Sequence, residues 1–227
     1  MKLVLKEIKP EVQNVETFIL EPSEDISWQP GQYMHYVFPH ANEDDRGEER
    51  WFTISSAPYE NHLSITTRFS NDHSSSFKAA LKNLKPGDQI ESDGPKGSFL
   101  LDETARKHVL IAGGIGVTPY RAQLLQADHD GKDITADLLY ANRDDNLVFG
   151  DELKALEAKH QNFHVIPYVG DKRITQDELK KYADEQGTIF YISGPRPMVE
   201  TYQHMLTDIG VPEERVKTDY FPGYQLG

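Results

Sequence analysis

Two stretches carry residue types that could do chemistry together. The first is Val109-Leu110-Ile111-Ala112-Gly113-Gly114-Ile115-Gly116-Val117-Thr118-Pro119. Its short apolar run, with β-branched residues, suits a strand buried on both faces. Glycines follow, and Pro119 fits the first turn of a helix, where its missing N–H costs nothing. Strand, glycine turn and helix start form a geometry that holds phosphate, because glycines admit the anion to the backbone and free N–H groups point at it. Gly114 and Gly116 match the first two glycines of the pattern G-x-G-x-x-G, but Pro119 stands where the third belongs. A plain strand-to-helix turn would read the same way. The second stretch is Arg50-Trp51-Phe52-Thr53. On a strand, Arg50 and Phe52 point to one face and Trp51 and Thr53 to the other. A guanidinium fork can bond two oxygens of a phosphate pair. An aromatic ring beside it offers a flat heterocycle a stacking surface. An edge-strand arginine among ordinary barrel residues would also fit.

The elements that must position these residues are legible in the pattern. Residues 1 to about 100 read as six short strands separated by turn signals. The first runs through Leu3, Leu5 and Ile8, and Pro10 should end it; the next is Val15 to Leu20. Then come Gln32 to Phe38, Trp51 to Ser55, Leu63 to Phe69 and Gln89 to Ser92. Such a series predicts a small antiparallel barrel. Phe77, Leu81 and Leu84 recur at helical spacing and predict one helix within it. The charged loop 42–50 reads as solvated. Beyond about Phe99 strands alternate with helices. Val109 to Ala112, Ala136 to Tyr140, Phe163 to Val169, Thr188 to Ile192 and Val216 to Phe221 are the strands. Helices are expected near Tyr120 to Gln126, Asp151 to Lys159 and Gln176 to Asp184, the last opened by a capping box at Thr175 and Glu178. A fourth carries Met198, Val199, Tyr202, Met205, Leu206 and Ile209 on one apolar face. Repeated β-α units imply a parallel sheet with right-handed crossovers. The fold class is therefore a six-stranded antiparallel barrel over residues 1–101, followed by a five-stranded parallel α/β, Rossmann-like domain over 102–227.

Composition narrows the function classes. The 227 residues include no cysteine, which excludes disulfides, thiolate zinc sites and cysteine-ligated iron–sulfur clusters within this sequence and fits a reducing, cytoplasmic compartment. The formal charge of -13 makes nucleic acid and anionic membranes poor partners. A mean hydropathy of -0.62 indicates a soluble protein, and no apolar run approaches the ~18 residues that would span a bilayer. The nine histidines show no metal-ligand spacing, so no metal site is expected.

Arg50-Trp51-Phe52-Thr53 resembles the Arg-x-Tyr/Phe-Ser/Thr motif of the ferredoxin–NADP reductase superfamily. Gly113-Gly114-Ile115-Gly116-Val117-Thr118-Pro119 is similar to its Gly-Gly-x-Gly-x-Thr-Pro motif, and Ser193-Gly194-Pro195-Arg196-Pro197-Met198 to its Cys-Gly-Pro-x-x-Met segment. Pro30-Gly31-Gln32-Tyr33 and Pro86-Gly87-Asp88, with Gly94-Pro95-Lys96-Gly97, match further landmarks. The motifs stand in family order and cover nearly the whole chain.

The resemblance implies a flavin-binding barrel, a nicotinamide-nucleotide domain and a flavin ring at their junction. Arg50 would hold the flavin pyrophosphate. Phe52 would pack on the isoalloxazine beside Trp51, and Thr53 would bond near N5 or O4. Phe52 lacks the hydroxyl of the commoner tyrosine. Thr66, Thr67 and Arg68 would supply contacts to the diphosphate, as would one of Ser74, Ser75 and Ser76. The family's glycine before that serine is missing; Asn71 or Asp72 stands near its place. Gly113, Gly114, Gly116, Thr118, Gly194 and Pro195 would line the nicotinamide nucleotide. Ser193 replaces the common cysteine beside the nicotinamide. Met198 reads as a packing residue. Arg143 and Arg173, on loops after parallel strands, could each bind a 2′-phosphate. At the C-terminus the family often places an acidic residue and an aromatic; Phe221 is the choice here and Tyr224 the alternative. The implied activity is hydride transfer from NAD(P)H to FAD (FMN is the less favoured flavin), then electron transfer to a separate protein or small-molecule acceptor. The alternative is a non-catalytic flavin- or nucleotide-binding subunit of a larger redox complex.

Overall fold

The computed structural model describes residues 1–69 and 74–221, with the backbone alone at Tyr220 and Phe221. The chain divides into two compact units, Met1–Leu100 and Leu101–Gly227.

The first unit is a six-stranded sheet of β1 (Lys2–Val12), β2 (Val15–Pro22), β3 (Tyr33–Val37), β4 (Glu49–Thr53), β5 (Leu63–Arg68) and β6 (Gln89–Lys96). The strand order is β4-β3-β6-β1-β2-β5, and the pairings are antiparallel. The outer strands meet just past β4, where the Ser55 N–H donates to the Ser64 carbonyl at 3.0 Å. Alternation puts Leu3, Leu5, Phe18, Leu20, Met34, Tyr36, Leu63 and Ile65 in one core. That core is also filled by Phe77 and Leu81 of α1 (Ser76–Lys82). Leu84 is buried, but beyond the end of the helix. Pro10 does not end β1, which continues to Val12. The pairing with β2 shifts register between Pro10 and Val12, and such an irregularity accommodates a residue that cannot donate to the ladder.

The second unit is a parallel sheet in the order β11-β10-β7-β8-β9. Its elements are β7 (Lys107–Gly113), α2 (Thr118–His129), β8 (Ala136–Asn142), α3 (Gly150–Lys159), β9 (Phe163–Val169), α4 (Gln176–Ala183), β10 (Thr188–Pro195), α5 (Arg196–Asp208) and β11 (Val216–Phe221). The interior of β7 is buried, as its unbroken apolar run requires. The capping box of α4 forms in full, with Thr175 and Glu178 each satisfying the other's backbone N–H. Val199, Tyr202 and Leu206 turn the apolar face of α5 onto the sheet, with Met198, Met205 and Ile209 at its margin. Among the described residues no helix is long and apolar enough to cross a membrane.

Candidate functional site

In the first unit, Arg50 and Phe52 share the face of β4 that meets α1. The Arg50 guanidinium carbon lies 5.4 Å from the centre of the Phe77 ring, and the Phe52 ring lies 6.0 Å from it. Phe52 is partly buried against the core, edge-on to Tyr36 at 5.8 Å. Arg50 Nη1 donates to the carbonyls of Arg46 (2.7 Å) and Gly47 (3.1 Å). Its Nη2 is buried and has no hydrogen-bond partner among the described residues; Asp44 Oδ1 lies 4.0 Å away. Burial lowers the Arg50 pKa and Asp44 opposes that shift, but a guanidinium keeps its proton. Half of the fork is therefore committed to its own loop, and the other half is a buried donor with an unmet demand. That donor set fits an oxyanion such as a diphosphate.

Trp51 faces the other way and is 45% exposed. It stacks on His35 at 4.3 Å and lies edge-on to Tyr33 at 5.4 Å. Thr53 is buried. The structure thus keeps Arg50 and Phe52 together and separates Trp51 from them by the strand itself.

The neighbouring hydroxyls are largely engaged. Thr66 Oγ1 lies 2.8 Å from both Thr17 Oγ1 and Ser55 Oγ, in a buried cluster that also takes in Ser64. Thr67 is buried, and the Arg68 carbonyl accepts from Lys78 Nζ at 3.0 Å. Ser75 caps α1 by accepting the Lys78 N–H. The Ser76 hydroxyl bonds His40 Nε2 (2.8 Å) and accepts the Asp44 N–H (3.0 Å). The Ser74 carbonyl accepts from Arg46 at 3.2 Å. The loop at 42–50 is consequently not a merely solvated segment. Asp44 accepts the Ser76 N–H at 2.8 Å and two side-chain N–H groups of Arg46 at 3.1 and 2.6 Å. Those bonds, Arg46 first, hold its carboxyl well below the usual carboxylate range.

In the second unit the glycine turn is built by packing. Residues Gly114–Val117 form one 3₁₀ turn between β7 and α2. Gly114 sits in the left-handed region, φ +53°, where a Cβ would meet only Asn142 Oδ1 at an ordinary contact distance of 3.8 Å. At Gly116 a Cβ would overlap the Ser193 carbonyl, and at Gly113 it would overlap the Met198 sulfur. Thr118 is buried, and its hydroxyl donates to the Ile115 carbonyl at 3.1 Å. The Tyr140 hydroxyl lies 3.1 Å from the Gly114 carbonyl and 3.4 Å from that of Val148.

Ser193 is fully buried opposite Asp219 in the β10–β11 register, and its hydroxyl donates to Asp219 Oδ2 at 3.4 Å. Burial raises the Asp219 carboxyl to about 6, with the Ser193 bond pulling the other way. Gly194 packs against Gly113, and Pro195 caps α5. These groups gather at the carboxyl end of the sheet, where such folds bind ligands. Arg143 and Arg173 are exposed on the loops after β8 and β9, and Arg173 donates to the Gly170 and Lys172 carbonyls of its own loop. The backbone of Phe221 pairs with Pro195; its side chain, and the whole of Tyr224, lie outside the described residues.

Three residues of these sites were not singled out by the sequence motifs: Asp44, Arg46 and Asp219. For Asp219 a signal was present, an acid near the carboxyl end of a strand paired with a buried one. For Asp44 there was none, because its partner Ser76 lies 32 positions away.

Residues 110–204 match the oxidoreductase NAD-binding domain family. The electron transfer component of 2-halobenzoate 1,2-dioxygenase from Burkholderia cepacia is 30% identical over 202 residues, covering 84% of this chain and 58% of that protein. The flavohem-like FAD/NAD binding domain of nitric oxide dioxygenase from Vibrio cholerae superposes with a TM-score of 0.80 at 24% identity, covering 97% of this chain and 98% of that one. The ferredoxin-NADP+ reductase of Plasmodium falciparum gives a TM-score of 0.81 at 18% identity, covering 97% and 95%. The chain spans little more than half the length of the curated relatives it matches.

Proposed function

We propose that this chain, which carries an oxidoreductase NAD-binding domain on the fold of ferredoxin–NADP reductase, is a flavin-dependent NAD(P)H oxidoreductase. In this reading residues 1–101 bind FAD, residues 102–227 bind NAD(P)H, and electrons leave to an acceptor outside these 227 residues, another protein or a small molecule. The absence of cysteine from this sequence means that no cysteine-ligated cluster within it serves as the next carrier. A cytoplasmic location, with its supply of reduced nicotinamide nucleotide, belongs to the same reading.

Bound FAD would supply the redox chemistry, accepting hydride from the nicotinamide at N5 and passing electrons on. The protein's part is to bind and orient. The open Nη2 of Arg50 bonds a diphosphate oxygen, Phe52 packs against the ring system and Thr53 lies near the reacting edge. One of Ser74, Ser75 and Ser76 assists with the phosphate, most readily through a backbone group, since the Ser75 and Ser76 hydroxyls are engaged. The glycine turn and Thr118 would take the nicotinamide dinucleotide with Ser193 beside the nicotinamide, and Phe221 or Tyr224, whose side chains lie outside the described residues, would guard the ring face. Arg143 and Arg173 are the candidates for a 2′-phosphate. No general base is needed for hydride transfer, and none is assigned.

The observation that carries this reading is the buried Nη2 of Arg50, unbonded among the described residues, in the same chain as a matched NAD-binding domain. The test is direct. The purified chain should bind FAD, and anaerobic NADH or NADPH should bleach its flavin absorbance in a stopped flow. A chain that takes up flavin but is not bleached is the non-catalytic subunit. A chain that takes up neither FAD nor FMN overturns the proposal. A screen of acceptors against the reduced protein then names the partner.

A further inference from the structure

The loop before β4 is strongly acidic. Between Glu43 and Glu49 it carries Glu43, Asp44, Asp45, Glu48 and Glu49, against Arg46 and the adjoining Arg50. Among the described residues only Asp44 of these five is seated against arginines. Its carboxylate is pinned from several sides. Oδ2 accepts from Arg46 and from the Ser76 N–H, and Oδ1 accepts the Arg46 N–H at 3.0 Å. Held in this way, Oδ1 stops 4.0 Å from Arg50 Nη2, close enough for attraction but too far for a hydrogen bond. Asp44, itself paired with Arg46, therefore sets an opposite charge beside Arg50 without satisfying its donor. An oxyanion that bonds Nη2 must arrive beside a fixed negative charge of the same sign as its own.

We infer that Asp44 is an intramolecular competitor of the flavin diphosphate: both draw on the guanidinium of Arg50, and the carboxylate sets an upper limit on how tightly the flavin is held. The inference rests on the reading of Arg50 given above. It makes Asp44 a tuning residue, which touches neither the reacting atoms nor the nicotinamide. The effect is electrostatic and partly exposed to water, so added salt should shrink it.

The test measures FAD affinity by quenching of flavin fluorescence, at low and at high salt, in the wild type and in D44N, D44S, D45N and R50A. D44N and D44S should each tighten FAD binding by about fivefold at low salt, the upper end for a partly exposed charge pair. D45N makes the same change in net charge on an exposed neighbour and should stay within about twofold of the wild type. The D44N gain should fade at high salt. Asp44 variants that unfold, that bind FAD more weakly, or that match D45N overturn the inference, since Asp44 is then scaffolding for the loop. A wild type that binds no FAD, with R50A no different, refutes the cofactor reading itself and this inference with it. Wild-type binding that R50A weakens and D44N does not improve refutes this inference alone.

Discussion

Arg50 and the glycine turn at 113–117 are two of the proposed phosphate contacts, and they are made of opposite materials. Arg50 would meet its ligand with a charged side chain held by carbonyls of a polar loop. The glycine turn would meet its ligand with bare backbone, held so close to the Ser193 carbonyl that no Cβ fits at Gly116, while at Gly113 a Cβ would have to push the Met198 side chain aside. The first can be retuned by changing charges nearby. The second can hardly be changed without disturbing the sheet beneath it. Binding and folding should therefore separate cleanly in one unit and remain fused in the other.

The largest expected effect tests the rigid half. Gly116→Ala forces a methyl into the Ser193 carbonyl, and the loss of stability should be about 3 kcal/mol or more, read by urea unfolding. A variant as stable as the wild type would show that the turn yields after all. Arg50→Ala tests the soft half. Here FAD affinity should fall roughly 10- to 100-fold, the value of a charged hydrogen bond of about 1.5–3 kcal/mol, while the unfolding midpoint moves little. A large loss of stability with unchanged FAD affinity would reverse the contrast.

Asp219 sharpens the comparison through pH. Burial raises its carboxyl to about 6, whereas an unfolded aspartate titrates near about 3.9. The folded chain thus binds this proton more tightly than the unfolded chain does. The contribution to stability is full below about pH 4, is lost as pH rises through about 6, and amounts to roughly 3 kcal/mol. Asp219→Asn should remove that slope, so its advantage over the wild type should grow between those pH values and then level off. Parallel profiles would place the carboxyl in water. The smallest effect calibrates the rest. Thr175→Ala breaks a capping box distant in sequence from both phosphate contacts and should cost about 1 kcal/mol with no change in FAD affinity. A changed affinity would mean that the two halves do not report separately.

Much of this architecture was legible because its signals are local. Alternation fixed the six antiparallel strands, and the unbroken run at Val109 to Ala112 fixed the buried centre of the parallel sheet. Thr175 and Glu178 announced their cap three residues apart. The failures were non-local. Pro10 looked like a terminator because the register shift that absorbs it belongs to the pairing with β2. The loop at 42–50 looked solvated because composition cannot reveal that one of its five acids is seated on Ser76 and two arginines. The spacing of Gly113, Gly114 and Gly116 was equally silent about purpose. Only the folded structure distinguishes Gly114, which is needed for its backbone angle, from Gly116, which is needed for want of space against the Ser193 backbone.

The phenol of Tyr140 has a bearing on engineering. A single hydroxyl reaches the carbonyl of Gly114 on one side and that of Val148 on the other. It ties the first crossover to the second through one shared hydroxyl. Exchanging either segment for that of a homologue, in order to alter nucleotide preference, imports half of a joint. Such grafts should succeed when both segments and the tyrosine travel together.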